Sequence, residues 1–70
     1  MSAQVICRSE YQYAQRPIAF TWEDESLPVK EILAGWRTPD GWGFRVETKD
    51  GRRFELFYRE TETAWEIRLL

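Results

Sequence analysis

The stretch GWGFRVETKDGRRFELFYRE, residues 41–60, alternates apolar and charged side chains on both sides of a Lys-Asp-Gly break. Alternation of period two is the mark of a half-buried strand, and two such runs around Asp-Gly make a hairpin. Its register follows from parity. A two-residue Asp50-Gly51 loop would set Glu47 opposite Phe54 and Arg45 opposite Leu56, mixing charge with apolar groups on both faces. A sheet with one buried face does not tolerate that, because a slip of one residue inverts every side chain. A three-residue loop, Lys49-Asp50-Gly51, removes the conflict. It puts Val46 opposite Phe54, Phe44 opposite Leu56 and Trp42 opposite Tyr58 inside, with Glu47 facing Arg53 and Arg45 facing Glu55 outside. Gly51 then takes the left-handed position of a type I turn with a G1 bulge, where glycine meets no steric cost.

Turn signals recur along the rest of the chain, at QRP (15–17), EDES (23–26), TPDG (38–41) and ETET (60–63). Between them the expected strands are 4–13, 17–23, 29–37, 42–48, 53–59 and 64–69. Ile18, Phe20 and Trp22 alternate with polar or small residues, as do Trp65, Ile67 and Leu69. Residues 27–36 are ambiguous. Val29, Ile32, Leu33 and Trp36 have helical spacing, with Ser26 as a cap and Pro28 as a first-turn residue. Gly35 and the neighbouring strand patterns favour a strand. The fold expected is all-β: a five- to six-stranded antiparallel meander curled into a small open barrel of SH3-like proportions.

Seventy residues form one small β domain, residues 1–70, and a chain of this size buries only about 60% of its unfolded surface. Four Trp, four Phe and three Tyr meet the need for a dense core, since aromatics bury the largest areas. The net charge of −2 supplies no global basic field to attract nucleic acid or anionic membrane. Cys7 is the single cysteine, so no internal disulfide forms. Beside Val5 and Ile6 it reads as a small buried hydrophobe. The lack of a signal peptide or long apolar run points to the cytoplasm and away from membranes.

Catalytic patterns are missing. There is no histidine, which removes the commonest general base and, with a single cysteine, leaves zinc without a plausible site. GWGF lacks the spacing of a phosphate-binding glycine loop. No cofactor or metal is expected, and the domain reads as non-enzymatic.

Two surfaces are candidates for binding. Single-stranded nucleic acid is held by exposed aromatics for stacking and by cations along the backbone path. Phe57, on the polar face of the hairpin, with Arg45, Lys49, Arg52, Arg53 and Arg59, has that composition. The plain alternative is a solvated sheet face whose arginines already face carboxylates. The second surface is Tyr11 and Tyr13 on one strand face near Arg16, either a docking strip of hot-spot residue types or a roof on the core. Open edge strands would also accept a strand from a partner, or lie hidden in a homodimer.

The spaced aromatics of RPIAFTW (Arg16 to Trp22), Val29-x-Glu31-x-Leu33 with Trp36-Arg37, FRVET from Phe44, FELFY from Phe54 and WEIRL from Trp65 carry a resemblance. In these the chain resembles a small bacterial domain of unknown function. That domain stands alone or at the C-terminus of catalytically inactive Y-family DNA polymerase homologues of the ImuB type. The resemblance implies an accessory module near DNA-damage tolerance that acts by protein or DNA contact without chemistry of its own, and brings no functional residues. The reading preferred is a protein-binding domain with a protein partner. The alternative is a single-stranded nucleic-acid-binding module using the basic-aromatic face of the 42–59 hairpin.

Overall fold

The computed structural model describes residues 4–8 and 16–70, in six strands. They are β1 (Val5–Arg8), β2 (Arg16–Trp22), β3 (Glu25–Thr38), β4 (Gly41–Thr48), β5 (Arg53–Arg59) and β6 (Ala64–Leu69). Each strand pairs antiparallel with the next, giving one sheet in the order β1-β2-β3-β4-β5-β6. The sheet curls into an open half-barrel, the all-β meander expected of the alternation. No helix among the described residues is long and apolar enough to cross a membrane.

The central hairpin has the register that parity requires. Val46 faces Phe54, Phe44 faces Leu56, Trp42 faces Tyr58, and outside them Glu47 faces Arg53 and Arg45 faces Glu55. Gly51 has φ of 89°, its N–H donates to the Thr48 carbonyl at 3.0 Å, and the Thr48 N–H donates to the Arg52 carbonyl at 2.8 Å. These two bonds close the type I turn and its bulge.

Residues 27–36 are strand, inside a β3 fourteen residues long. That length lets β3 serve two partners. Its start pairs with β2, with Phe20 opposite Leu27, and from Val29 onwards it pairs with β4. Register shifts between Val29 and Glu31 and between Ile32 and Ala34 mark bulges, which bend a strand and raise its twist. The bend brings the β2 hairpin across the inner face of the remaining sheet. Phe20 and Trp22 then meet the Phe54 ring edge-on at centroid distances of 4.9 and 5.2 Å. Phe20, Leu27, Val46, Phe54 and Leu56 form the buried core, with Val5, Val29, Ile32, Phe44, Trp65 and Ile67 packed around it.

Two expectations need correction. Ile18 does not join Phe20 on the inner face; it is 39% exposed, while Pro17 is buried. The β1–β2 register jumps there, pairing Ile6 with Ala19 but Cys7 with Pro17, so Ile18 is the extra residue of a bulge. The turn expected over residues 23–26 is only Glu23-Asp24, with Trp22 opposite Glu25. Both turn residues have positive φ, 48° and 66°, the geometry of a type I′ hairpin without the glycine it favours. The first strand is described only as far as Arg8, and the part of it expected over 9–13 lies outside the described residues.

Two predictions follow from the turn and the packing. Replacing Glu23-Asp24 by Asn-Gly removes the left-handed penalty carried by side chains with a Cβ, and should raise stability by about 1 kcal/mol; the urea midpoint reads it, and an unchanged midpoint would refute the turn assignment. At Gly43, an added Cβ would sit 2.4 Å from the Trp36 ring. Gly43→Ala should therefore cost roughly 1–3 kcal/mol, the usual range for overpacking, and neutral behaviour would show that Trp36 does not lie there.

Candidate functional site

The outward side of β3 to β6 is built by the same parity that fills the core. Across the sheet, Trp36 of β3 stands opposite Gly43 of β4, Gly43 opposite Phe57 of β5, and Phe57 opposite Glu66 of β6. Gly43 has no side chain, so the two aromatics reach across it. Their rings meet edge-on with centroids 6.0 Å apart. Edge-to-face contact sets the positive rim of one ring against the negative face of the other, and such pairs contribute about 0.5–1.5 kcal/mol beyond the area they bury. Phe57 is half-buried, as is Trp36. Phe57 thus lies on the polar face as parity requires, with its neighbour Trp36 covering one side.

The arginines beside this pair are engaged. Arg45 Nη2 donates to Glu55 Oε2 at 2.9 Å. Arg53 lies 3.5 Å from Glu47, which also takes Lys30 at 3.6 Å. Arg59 is held by Glu62 at 3.7 Å and Glu66 at 3.5 Å. Exposed pairs of this kind contribute about 0.2–1 kcal/mol each. Their larger effect is on the field: carboxylates interleave with the cations and leave the face close to neutral. Arg68 differs, for its guanidinium lies 5.8 Å from the Phe57 ring centroid and it forms no ion pair among the described residues. Phe57, Arg59, Glu66 and Arg68, with Thr38 and Asp40 from the β3–β4 turn, line an open depression of about 220 Å³.

The structure divides the residues singled out in the sequence. Arg45, Arg53, Phe57 and Arg59 share the outward face of the hairpin. Arg52 does not join them. It shares the parity of Thr48 and turns towards the inner side, 5.6 Å from the Phe54 ring centroid, tied to Asp50 at 2.6 Å and to Glu25 at 3.9 Å. Lys49 is exposed in the turn itself. Arg16 begins β2, with β3 between it and the hairpin, so it belongs to a separate region. Tyr11 and Tyr13 lie outside the described residues.

Sequence reasoning missed Trp36, Glu66 and Arg68 as parts of this face. A signal existed for each. A two-residue turn at Pro39-Asp40 sets Trp36 opposite Gly43, and a four-residue turn over 60–63 sets Glu66 opposite Phe57. The β3–β4 turn could not be used without first settling whether 27–36 was strand or helix, whereas the expected strands 53–59 and 64–69 already set Glu66 opposite Phe57.

No cluster of three or more His, Cys, Asp or Glu that could hold a metal ion occurs among the described residues. Cys7 is half-buried in β1, and burial raises its thiol pKa, which disfavours the reactive thiolate. Among the described residues the perturbed carboxylate is Asp50, in the hairpin turn. Hydrogen bonds from the Arg52 and Thr48 side chains hold its pKa at about 2, below the ordinary 3.8. The Arg52 Nε–H donates to Asp50 Oδ2 at 2.8 Å, and the buried Thr48 hydroxyl donates to Oδ1. This is a structural clasp that fixes the turn.

The clasp gives a pH signature. A depressed carboxylate pKa contributes stability that is complete above the unfolded value near 3.8 and is lost as pH falls through about 2. Asp50→Asn should therefore be less stable than the parent at neutral pH, with the gap closing between those two values. Urea midpoints across the acid range test this, and a gap independent of pH would refute the clasp.

Compared with known proteins, the chain matches no family model, no curated protein and no solved structure. Function therefore has to be argued from the faces and edges of this sheet.

Proposed function

We propose that the chain is a non-enzymatic, protein-binding accessory domain whose contact face is the Trp36–Phe57 patch. The observation that supports it most is the solvent-side aromatic pair bridging Gly43, bordered by Arg59, Arg68 and Glu66. Trp, Tyr and Arg are the residue types most enriched at the energetic centres of protein interfaces, where surrounding contacts of little energetic weight exclude water from the anchor. The ion pairs of Arg45, Arg53 and Arg59 count against a phosphate backbone as the preferred ligand, because binding phosphate would mean breaking them. A link to DNA-damage tolerance rests on the resemblance of the aromatic spacing to the domain found with ImuB-type polymerase homologues.

A single-stranded nucleic-acid ligand is the second reading, favoured by Arg68, which has no carboxylate partner among the described residues and lies against the ring on which a base would stack. The two readings separate in one set of titrations on the intact chain. Under the protein-binding reading, a short single-stranded oligonucleotide at low salt leaves the amide resonances of residues 36, 45, 57 and 68 in place. Affinity capture from the native cell extract then enriches a protein that the folded Phe57→Ala variant no longer retains. Shifts at those residues that reverse with added salt would favour nucleic acid, since neutralised phosphates release counterions. In that case Phe57→Ala should weaken binding by roughly 1–3 kcal/mol, the usual contribution of a stacked base. Failure of Phe57→Ala to alter either interaction would dismiss this face.

A further inference from the structure

We propose that β6 pairs antiparallel with β6 of a second copy of the chain, about a two-fold axis through Ile67. The inference does not rest on the function of the Trp36–Phe57 face. It begins with the two edges of the sheet. Among the described residues the pairing of the β1 edge is interrupted between Ile6 and Cys7, where Ile18 of β2 is the extra residue, and bulges are a common way of blunting an edge. The β6 edge has no such protection. Its register with β5 runs unbroken from Ala64 to Leu69, without a bulge or a proline.

The direction of its free backbone groups is fixed by one bond. The Leu70 N–H donates to the Arg53 carbonyl at 3.0 Å, so residue 70 and the alternate residues before it turn their backbone groups towards β5. Trp65, Ile67 and Leu69 therefore turn theirs outward. Leu69 is 45% exposed and Leu70 56%.

The side chains select both the partner and the register. Antiparallel neighbours keep the inner and outer faces aligned only when an axis passes through a residue. An axis at Glu66 sets Glu66 against its own copy, and one at Arg68 sets Arg68 against its own copy. Either arrangement juxtaposes like charges, which is destabilising. An axis at Ile67 sets Glu66 opposite Arg68 of the second copy twice over, with Trp65 opposite Leu69 on the apolar side. In the same register Ile67 exchanges hydrogen bonds with its own counterpart, and Trp65 with Leu69 of the second copy. The groups that bond across this seam are those β6 leaves outward from β5, and Arg68, which forms no ion pair among the described residues, gains a carboxylate. A closed, self-complementary contact of this kind forms a dimer and ends there.

The test is sedimentation equilibrium of the intact chain from micromolar to millimolar concentration. The parent should reach twice the monomer mass. Glu66→Arg and Arg68→Glu, each bringing like charges together across the seam, should both stay monomeric. An equimolar mixture of the two should recover the dimer mass, as should the double exchange E66R/R68E. Leu69→Pro removes an outward donor without touching the β5 ladder, and should also stay monomeric while keeping its circular dichroism. A parent that remains monomeric at millimolar concentration would overturn the proposal and leave the edge to a strand from a different protein. A dimer that survives both single charge variants and Leu69→Pro would overturn it as well, by placing the contact elsewhere.

Discussion

A side chain in a β-strand has two directions only, and the three-residue turn at Lys49-Asp50-Gly51 decides which one each residue of the central hairpin takes. Gly51 accepts the left-handed conformation, and Asp50 clasps Thr48 and Arg52 around it. With that register Phe44, Val46, Phe54 and Leu56 fall on one side, and Arg45, Glu47, Arg53, Glu55 and Phe57 on the other. A turn shorter by one residue would send charge into the core. The β3 and β6 strands read their registers from this hairpin, and the β2 hairpin closes over the apolar side it creates.

The core and the solvent face are therefore one construction. Phe54 is buried because Arg53 and Glu55 point outward, and Phe57 lies outward because Leu56 and Tyr58 point in. Gly43 completes the link: the lack of a side chain there lets the Trp36 ring settle across β4 and touch Phe57. A face of paired charges would otherwise be an ordinary solvated surface. The aromatic bridge is what sets it apart, and it borders β6, whose register with β5 is unbroken and to which the proposed second copy would pair.

How much of this was legible in the sequence depended on how local the determining forces are. The β4–β5 register could be read directly, because a turn residue with a special backbone requirement sits between two strongly alternating runs. The strand over 27–36 was harder, since Val29, Ile32, Leu33 and Trp36 suit a helix as well as a strand; pairing with β2 and β4 decides it, and that is a tertiary effect. The bulge that turns Ile18 out was not visible, because no residue type marks it. A turn was expected over 23–26, but its narrowing to Glu23-Asp24 was not visible, for Glu23 does not favour positive φ and no glycine marks the hairpin. There the packing of Phe20 and Trp22 on Phe54 overrides a local preference. Within the candidate face, Phe57, Arg45, Arg53 and Arg59 followed from parity alone. Trp36 and Arg68 required the partners across the sheet.

The most direct test of the account is the set of through-space contacts between α-protons in a nuclear Overhauser spectrum of the chain. Opposed residues that do not exchange hydrogen bonds bring their α-carbons to about 4.5 Å, close enough for a strong signal. The three-residue turn requires such signals between Arg45 and Glu55 and between Glu47 and Arg53, accompanied by contacts between the Trp36 and Phe57 rings. Signals linking Arg45 to Leu56 or Glu47 to Phe54 would mean a register shifted by one residue. The core, the aromatic bridge and the outward face described here would then all be wrong together.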